Sequence, residues 1–218
     1  MRRASKWMAW LGCLGAIGCV AVSGRCLGAE EATDEEFTII KEAEMPSGFP
    51  APTPVGRIEV KQYPAYRRAT ATGMGQFWTL FRHIKQTDVA MTAPVEMDYG
   101  PAGAGGGGSA SMSFLYERPN QGAAGKQGGV EVMDVEAATV VSIGCRGRQT
   151  AAAVSEAQDR LLLWLDENGG YAPSGSLRVM GYNSPFVPRE KNFFEVQIPV
   201  EISTDVKPIR TDERITTQ

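Results

Sequence analysis

A single histidine, His83, serves all 218 residues, and that scarcity removes most metal and acid–base chemistry at once. No zinc-type spacing of Cys and His occurs, and no carboxylate pair shares a motif. Nothing therefore assembles a nucleophile with its base. The Gly-rich loop at 104–108 lacks the Lys-Ser/Thr ending and the following helix that a phosphate cradle needs. Cysteine is scarce too: of four, Cys13, Cys19 and Cys26 fall within the first 29 residues, so only Cys145 belongs to the body of the chain. Cys145 follows a β-rich run, where a small strand residue is the simpler reading than a reactive thiol beside Arg146. The expectation is a binding protein rather than an enzyme.

The chain also lacks an apolar run long enough to span a membrane. Residues 1–29 open with Arg2, Arg3 and Lys6, run apolar from Trp7 to Val22 and end in small residues up to Ala29. Sixteen apolar residues fall short of the ~20 that a spanning helix requires. The layout is that of a cleaved secretory signal peptide, with lipidation at Cys19 as a second reading, because Ala16, Ile17 and Gly18 precede it. Either reading places the protein outside the cytoplasm, in a periplasm or extracellular space, with membrane attachment through the N-terminus under the lipid reading. Loss of Arg2, Arg3, Lys6 and Arg25 takes the basic count from 22 to 18 against 25 acids, a net charge near −7. That balance argues against nucleic acid and anionic lipid as partners. With one cysteine left, no internal disulfide forms, and the core must hold the fold.

What remains fits one domain. Residues 30–54 are acidic first (Glu30, Glu31, Asp34, Glu35, Glu36), then carry Pro46, Pro50, Pro52 and Pro54. They read as a tether or an extension with little core of its own. Residues 55–203 form the domain and 204–218 a C-terminal tail. Two glycine-rich breaks, 99–111 and 120–129, bracket one strand at Met112 to Glu117.

Between the breaks one unit occurs twice. Ile58, Val60 and Gln62 alternate with Glu59, Lys61 and Tyr63, the period of a half-buried strand. Pro64 interrupts it, and Tyr66 to Thr72 continues the extended chain. Phe77, Leu80, Phe81 and Ile84 then fall on one helical face. Strands follow at Val89–Met97 and Met112–Tyr116. The second unit repeats the order: β-rich Val130–Val135 and Thr139–Cys145, a helix stripe at Val154, Ala157, Leu161 and Leu165, a stop at Gly169 and Gly170, then Leu177–Tyr182 and Phe193–Val200. Two helices and about eight strands in pseudo-duplicated units predict an α+β fold, a distorted antiparallel β-barrel carrying both helices.

The segments MTAPV at 91–95, IEVKQYPAY at 58–66, GYNSP at 181–185 and FEV at 194–196, with the Phe77–Ile84 helix, resemble those of the SOUL heme-binding family over roughly residues 55–200. The resemblance implies a distorted barrel with two helices, shaped like the effector-binding domains of some transcription regulators. It also implies an apolar groove for heme or another porphyrin, bound non-covalently between the first helix and the sheet. The family's proposed axial histidine precedes the tyrosine of the first strand motif; here that position is Gln62. An amide is a poor ligand for heme iron, although Gln62 shares the face of Val60 and could meet a ligand's polar edge.

His83 stands where the resemblance would put an aromatic. At ~100° per residue it lies about 110° from the centre of the apolar stripe, at the edge of the buried face. Two readings stay open for it, a hydrogen-bonded filler or the one imidazole available to iron. Phe77, Trp78, Phe81 and Ile84 offer apolar surface to a macrocycle, Met91 a soft sulfur, and Arg67, with Arg68, Arg82 and Lys85, cations for propionates. The expected function is an exported tetrapyrrole carrier, buffer or sensor that binds without the axial histidine. The alternative is a relative in fold alone, whose groove takes another apolar small molecule or a protein partner.

Overall fold

The computed structural model describes residues 37–101 and 109–203. The signal reading of 1–29, with Cys13, Cys19 and Cys26, the Gly-rich stretch at 104–108 and the tail 204–218 lie outside them. Among the described residues the fold is α+β, with ten strands and two α-helices. Ile58–Tyr63 (β1), Tyr66–Thr72 (β2), helix Gln76–Gln86 (α1), Val95–Pro101 (β3) and Ser111–Leu115 (β4) form the first unit. Val130–Val135 (β6), Ala138–Arg146 (β7), helix Ala151–Glu167 (α2), Ser176–Gly181 (β9) and Phe193–Ile202 (β10) form the second. Two three-residue strands, Gly125–Gln127 (β5) and Tyr171–Pro173 (β8), complete the set. Among the described residues no helix is long and apolar enough to cross a membrane.

All neighbouring strands run antiparallel in the order β1-β7-β10-β9-β3-β4-β2-β6-β5, with β8 on β10. That order is a palindrome of the two units. Reversing it exchanges β1 with β6, β7 with β2, β10 with β4 and β9 with β3. A pseudo-twofold relation therefore centres between β3 and β9, where Val95 faces Gly181 and Met97 faces Val179. The pseudo-duplication is thus expressed in the pairing itself, and the sheet stays open at its β1 and β5 edges.

Both helices lie on one face of the sheet, because each carries one apolar stripe and must bury it there. Helix α1 packs on β2, β4 and β6 through Leu80 and Ile84, against Ala69, Ala71, Phe114 and Val132. Helix α2 packs on β7 and β10 through Val154, Ala157, Leu161 and Leu165, against Val141, Ile143 and Val196. Thr150 caps α2, its hydroxyl accepting the Ala153 N–H at 3.2 Å. Strands β9 and β3 lie between the two helix footprints.

The opposite face is polar and buried. Glu195 accepts hydrogen bonds from Lys61 Nζ (2.7 Å), Gln197 Nε2 (2.7 Å), Tyr182 Oη (3.1 Å) and the Thr53 N–H. Glu96 accepts from Tyr66 Oη at 2.6 Å and pairs with Arg68. Arg178 bridges the two groups through Gln197 Oε1 (2.9 Å) and Tyr66 Oη (3.1 Å). Such groups can stay in a core only because each charge has partners.

Residues 37–56 close over this face rather than trailing as a tether. Phe49 sets its edge against Tyr63 and Tyr66, with ring centroids 4.9 and 5.3 Å away. Phe37 stacks on Phe193 at 6.1 Å. Two further expectations need correction. The strand expected over Val89–Met97 begins only at Val95: Thr92 makes an isolated parallel bridge with Glu44, to whose carbonyl the Ala93 N–H donates, and Pro94 has no N–H for a ladder. The loop expected at 120–129 contains β5.

Candidate functional site

The helices leave a groove of about 360 Å³ beside the centre of the pseudo-twofold relation. Its floor is Val95 and Met97 of β3, Met112 of β4 and Gly181 at the end of β9. Phe77, from the first turn of α1, forms one wall, and the 182–186 loop with Phe186 forms the other. Met91 and Thr92, from the loop before β3, and Glu42 and Ala43, from the segment before β1, also line it. Gly181 keeps the floor open: a Cβ there would come within 3.1 Å of Met97 Cε. Phe186 is 93% exposed, so the wall it forms stands free in solvent.

Polar groups mark the rim. Gln149 Nε2 is 2.8 Å from Tyr99 Oη and 3.2 Å from Met97 Sδ. Glu42 accepts the Ser184 N–H (2.6 Å) and hydroxyl (2.8 Å), which ties residues 40–44 to the GYNSP loop. Burial alone would raise the Glu42 carboxyl, but those Ser184 bonds and Asn183 outweigh it and hold the group below its ordinary value. Tyr182 also lines the groove while its hydroxyl donates to Glu195. Burial first, and Glu195 second, push that phenol well up.

Of the nine residues expected at the site, the structure brings only Phe77 and Met91 into this groove. Val60 and Gln62 do share a face, as alternation requires, but it is the helix-bearing face of edge strand β1, remote from α1; Lys61 and Tyr63 point inward instead. Arg67 is committed to Asp134 (2.7 and 2.9 Å) and to the carbonyls of Gln121 and Gly122. Ile84 is core beneath α1. Phe81 stacks on Phe77 at 6.1 Å but sits outside the groove lining. Trp78 is 65% exposed and meets Phe77 edge-on.

His83 is more deeply placed than its wheel angle suggested. It is 6% exposed, and its Nε2 shares a 2.8 Å hydrogen bond with Tyr116 Oη. Burial holds the imidazole below its ordinary value. It does not line the groove. The expected cations do not line it either: Arg68 pairs with Glu96, Lys85 lies over the Phe81 ring, and no Lys or Arg stands among the described lining residues.

Sequence reasoning missed Val95, Met112, Gln149, Gly181 and Phe186 as lining residues. One signal was available. Gly181 ends an apolar strand, where a glycine often marks close approach of another group. Chemically, the arrangement offers a flat apolar slot with three thioethers, Met91, Met97 and Met112, and no imidazole. Among the described residues no cluster of three His, Cys, Asp or Glu could hold a metal ion.

Solved structures similar to this chain share its fold at low identity. The crystal structure of the EcmrR C-terminal domain is 16% identical, covering 67% of this chain and 98% of that one at a TM-score of 0.52. An uncharacterized conserved protein from Listeria innocua is 14% identical over 69% and 94% of the two chains, at 0.51. EcmrR in its cryo-EM complex with DNA is matched over 58% of its chain, at 16% identity and 0.50. No curated protein matches the sequence significantly. The family described as SOUL heme-binding protein matches residues 51–199, from just before β1 almost to the end of β10. It is a family of heme-binding proteins rather than of enzymes. With its palindromic sheet, paired helices and matched motifs, the chain belongs to the SOUL heme-binding protein family.

Proposed function

We propose that the protein is an exported tetrapyrrole-binding protein, a carrier, buffer or sensor, that holds the macrocycle in the groove between Phe77 and Phe186. The observation that carries this reading is the groove itself: an apolar slot with aromatic walls, on the outer face of a SOUL domain. The residues present suit the ring. Phe77 and Phe186 offer π-faces, while Val95, Met97 and Met112 offer a soft, apolar floor. Burying one porphyrin face contributes several kcal/mol at ~25 cal/mol per Å². That leaves roughly micromolar affinity after the costs of association. With Glu42 in the lining and no cation among the described lining residues, the propionates turn outward to water.

Export rests on the signal-like residues 1–29, with a lipid anchor at Cys19 as the other route to the cell exterior; N-terminal sequencing of the exported protein separates the two. Nucleic acid stays outside this reading on the strength of the acidic charge alone. A second reading, a protein partner in place of a small molecule, draws on two exposed apolar side chains, Phe186 in the groove lining and Trp78 against Phe77.

The test is a titration of the purified protein with hemin and with metal-free protoporphyrin, followed by tryptophan fluorescence. Saturable binding of both, weakened tenfold or so by Phe77→Ala, is the expected result. No saturable binding of either overturns the proposal and leaves the partner reading.

A further inference from the structure

We propose that iron in this groove takes a methionine thioether as its axial ligand, and that Met112 supplies it. The inference rests on the porphyrin-binding reading above and adds the metal chemistry of the same site. Three observations lead to it. The lining contains no imidazole, thiol or Tyr hydroxyl free for iron: His83 is buried against Tyr116, Cys145 lies elsewhere, and the Tyr182 hydroxyl is spent on Glu195. The same lining contains three thioethers, and thioether sulfur is a soft donor suited to iron in its reduced state. Finally, two of the three sit side by side on the floor. Met97 and Met112 are direct cross-strand partners in the β3–β4 register, so their Cβ atoms lie about 4.5–5.5 Å apart on one face.

The two floor methionines are not equivalent. Met97 is already engaged, its sulfur accepting the Gln149 N–H at 3.2 Å and its methyl filling the space left by the missing side chain of Gly181. Met112 is half-buried beside the α1 core and has no polar neighbour among its described contacts. Met91 lies in the loop before β3, outside the strands that form the floor. A macrocycle laid on the floor presents its metal to the floor sulfurs, and the uncommitted one is Met112. Gln149 then acts as a positioning residue, holding Met97 aside.

The test uses the full chain loaded with hemin, read by absorbance, by magnetic circular dichroism and, after dithionite reduction, by the methionine-methyl NMR region. With carbon monoxide added after reduction as the ligand on the open face, the expected result is a low-spin sulfur-ligated signature with a ring-shifted methyl resonance, lost in Met112→Leu and retained in Met91→Leu, Met97→Leu and His83→Ala. Loss in His83→Ala overturns thioether ligation, as does a signature that persists when all three methionines are leucine. Loss in Met91→Leu or Met97→Leu, with Met112→Leu unchanged, overturns the assignment to Met112. Metal-free protoporphyrin is titrated in parallel into every variant. If it binds while no sulfur signature forms, thioether ligation fails and the binding reading stands; if it does not bind, the binding reading itself has failed.

Discussion

Removing the charge of Lys61 tests whether the buried polar face is held by its ion pair. Glu195 is fully buried, and its only charged hydrogen-bond donor is Lys61 Nζ at 2.7 Å, itself 5% exposed. Lys61→Met keeps most of the side chain's length and removes the ammonium. The carboxylate would retain three neutral donors, the Thr53 N–H, Gln197 Nε2 and Tyr182 Oη. Breaking one side of a buried pair costs ~3–5 kcal/mol, and the three remaining donors put this site near the lower end, about 3 kcal/mol. For a chain of this size that is a fall in Tm of roughly 6–12 °C. Lys61→Met combined with Glu195→Gln should cost less than Lys61→Met alone, because the uncompensated charge is then gone. Urea unfolding followed by tryptophan fluorescence measures both, and the double-mutant cycle isolates the coupling. A loss below about 1 kcal/mol for Lys61→Met, or strict additivity of the two changes, would refute the reasoning.

Gly144→Ala should unseat residues 37–56, since a Cβ at this ordinary backbone conformation would collide with the carbonyl oxygens of Thr53 and Pro54. Such overpacking costs ~1–3 kcal/mol, and new tryptic cleavage near Arg57 is the readout; a protease-resistant variant counts against it. Burial keeps the His83 imidazole below its ordinary value of 6.5, so the folded state prefers the neutral ring. Its contribution is fully present above pH 6.5 and fades as pH falls through the lower folded value. Stability measured from about pH 8 to about pH 5 should therefore drop more steeply in the wild type than in His83→Gln, and parallel curves would sink the idea. Burial pushes the Cys145 thiol up to about 11, so alkylation at mildly alkaline pH should be far slower in the native protein than in urea; equal rates would show the thiol to be open.

Periodicity made the scaffold legible. The α2 stripe at Val154, Ala157, Leu161 and Leu165 is buried residue for residue, and strands lie at 66–72, where the extended chain was expected to continue, and at the β-rich run 130–135. Alternation gives a period and not a direction, and in β1 the direction reverses the usual inference. Val60 and Gln62 turn outward while Lys61 turns in, because its charge is met by Glu195, 134 residues further along the chain. The same blindness hid His83's partner. A helical wheel places the ring at the boundary, and only the arrival of Tyr116 beyond β4 closes it off. The groove was illegible for a related reason: its floor comes from three strands and its walls from a helix start and a loop, so no local window contains it.

Strand β3 shows why groove and network belong to one design. Its alternation sends Val95 and Met97 to the helix-bearing face, as groove floor, and Glu96 to the other face, into the arginine pairs. A one-residue slip of β3 would bury Val95 and Met97 among the charges and set Glu96 in the apolar groove, a register error that both faces oppose. The polar face thus specifies the register that the groove needs. Tyr182 ties the two most directly: its ring is groove wall and its hydroxyl is a Glu195 donor, so the geometry of the binding wall is set by a carboxylate on the opposite side of the sheet.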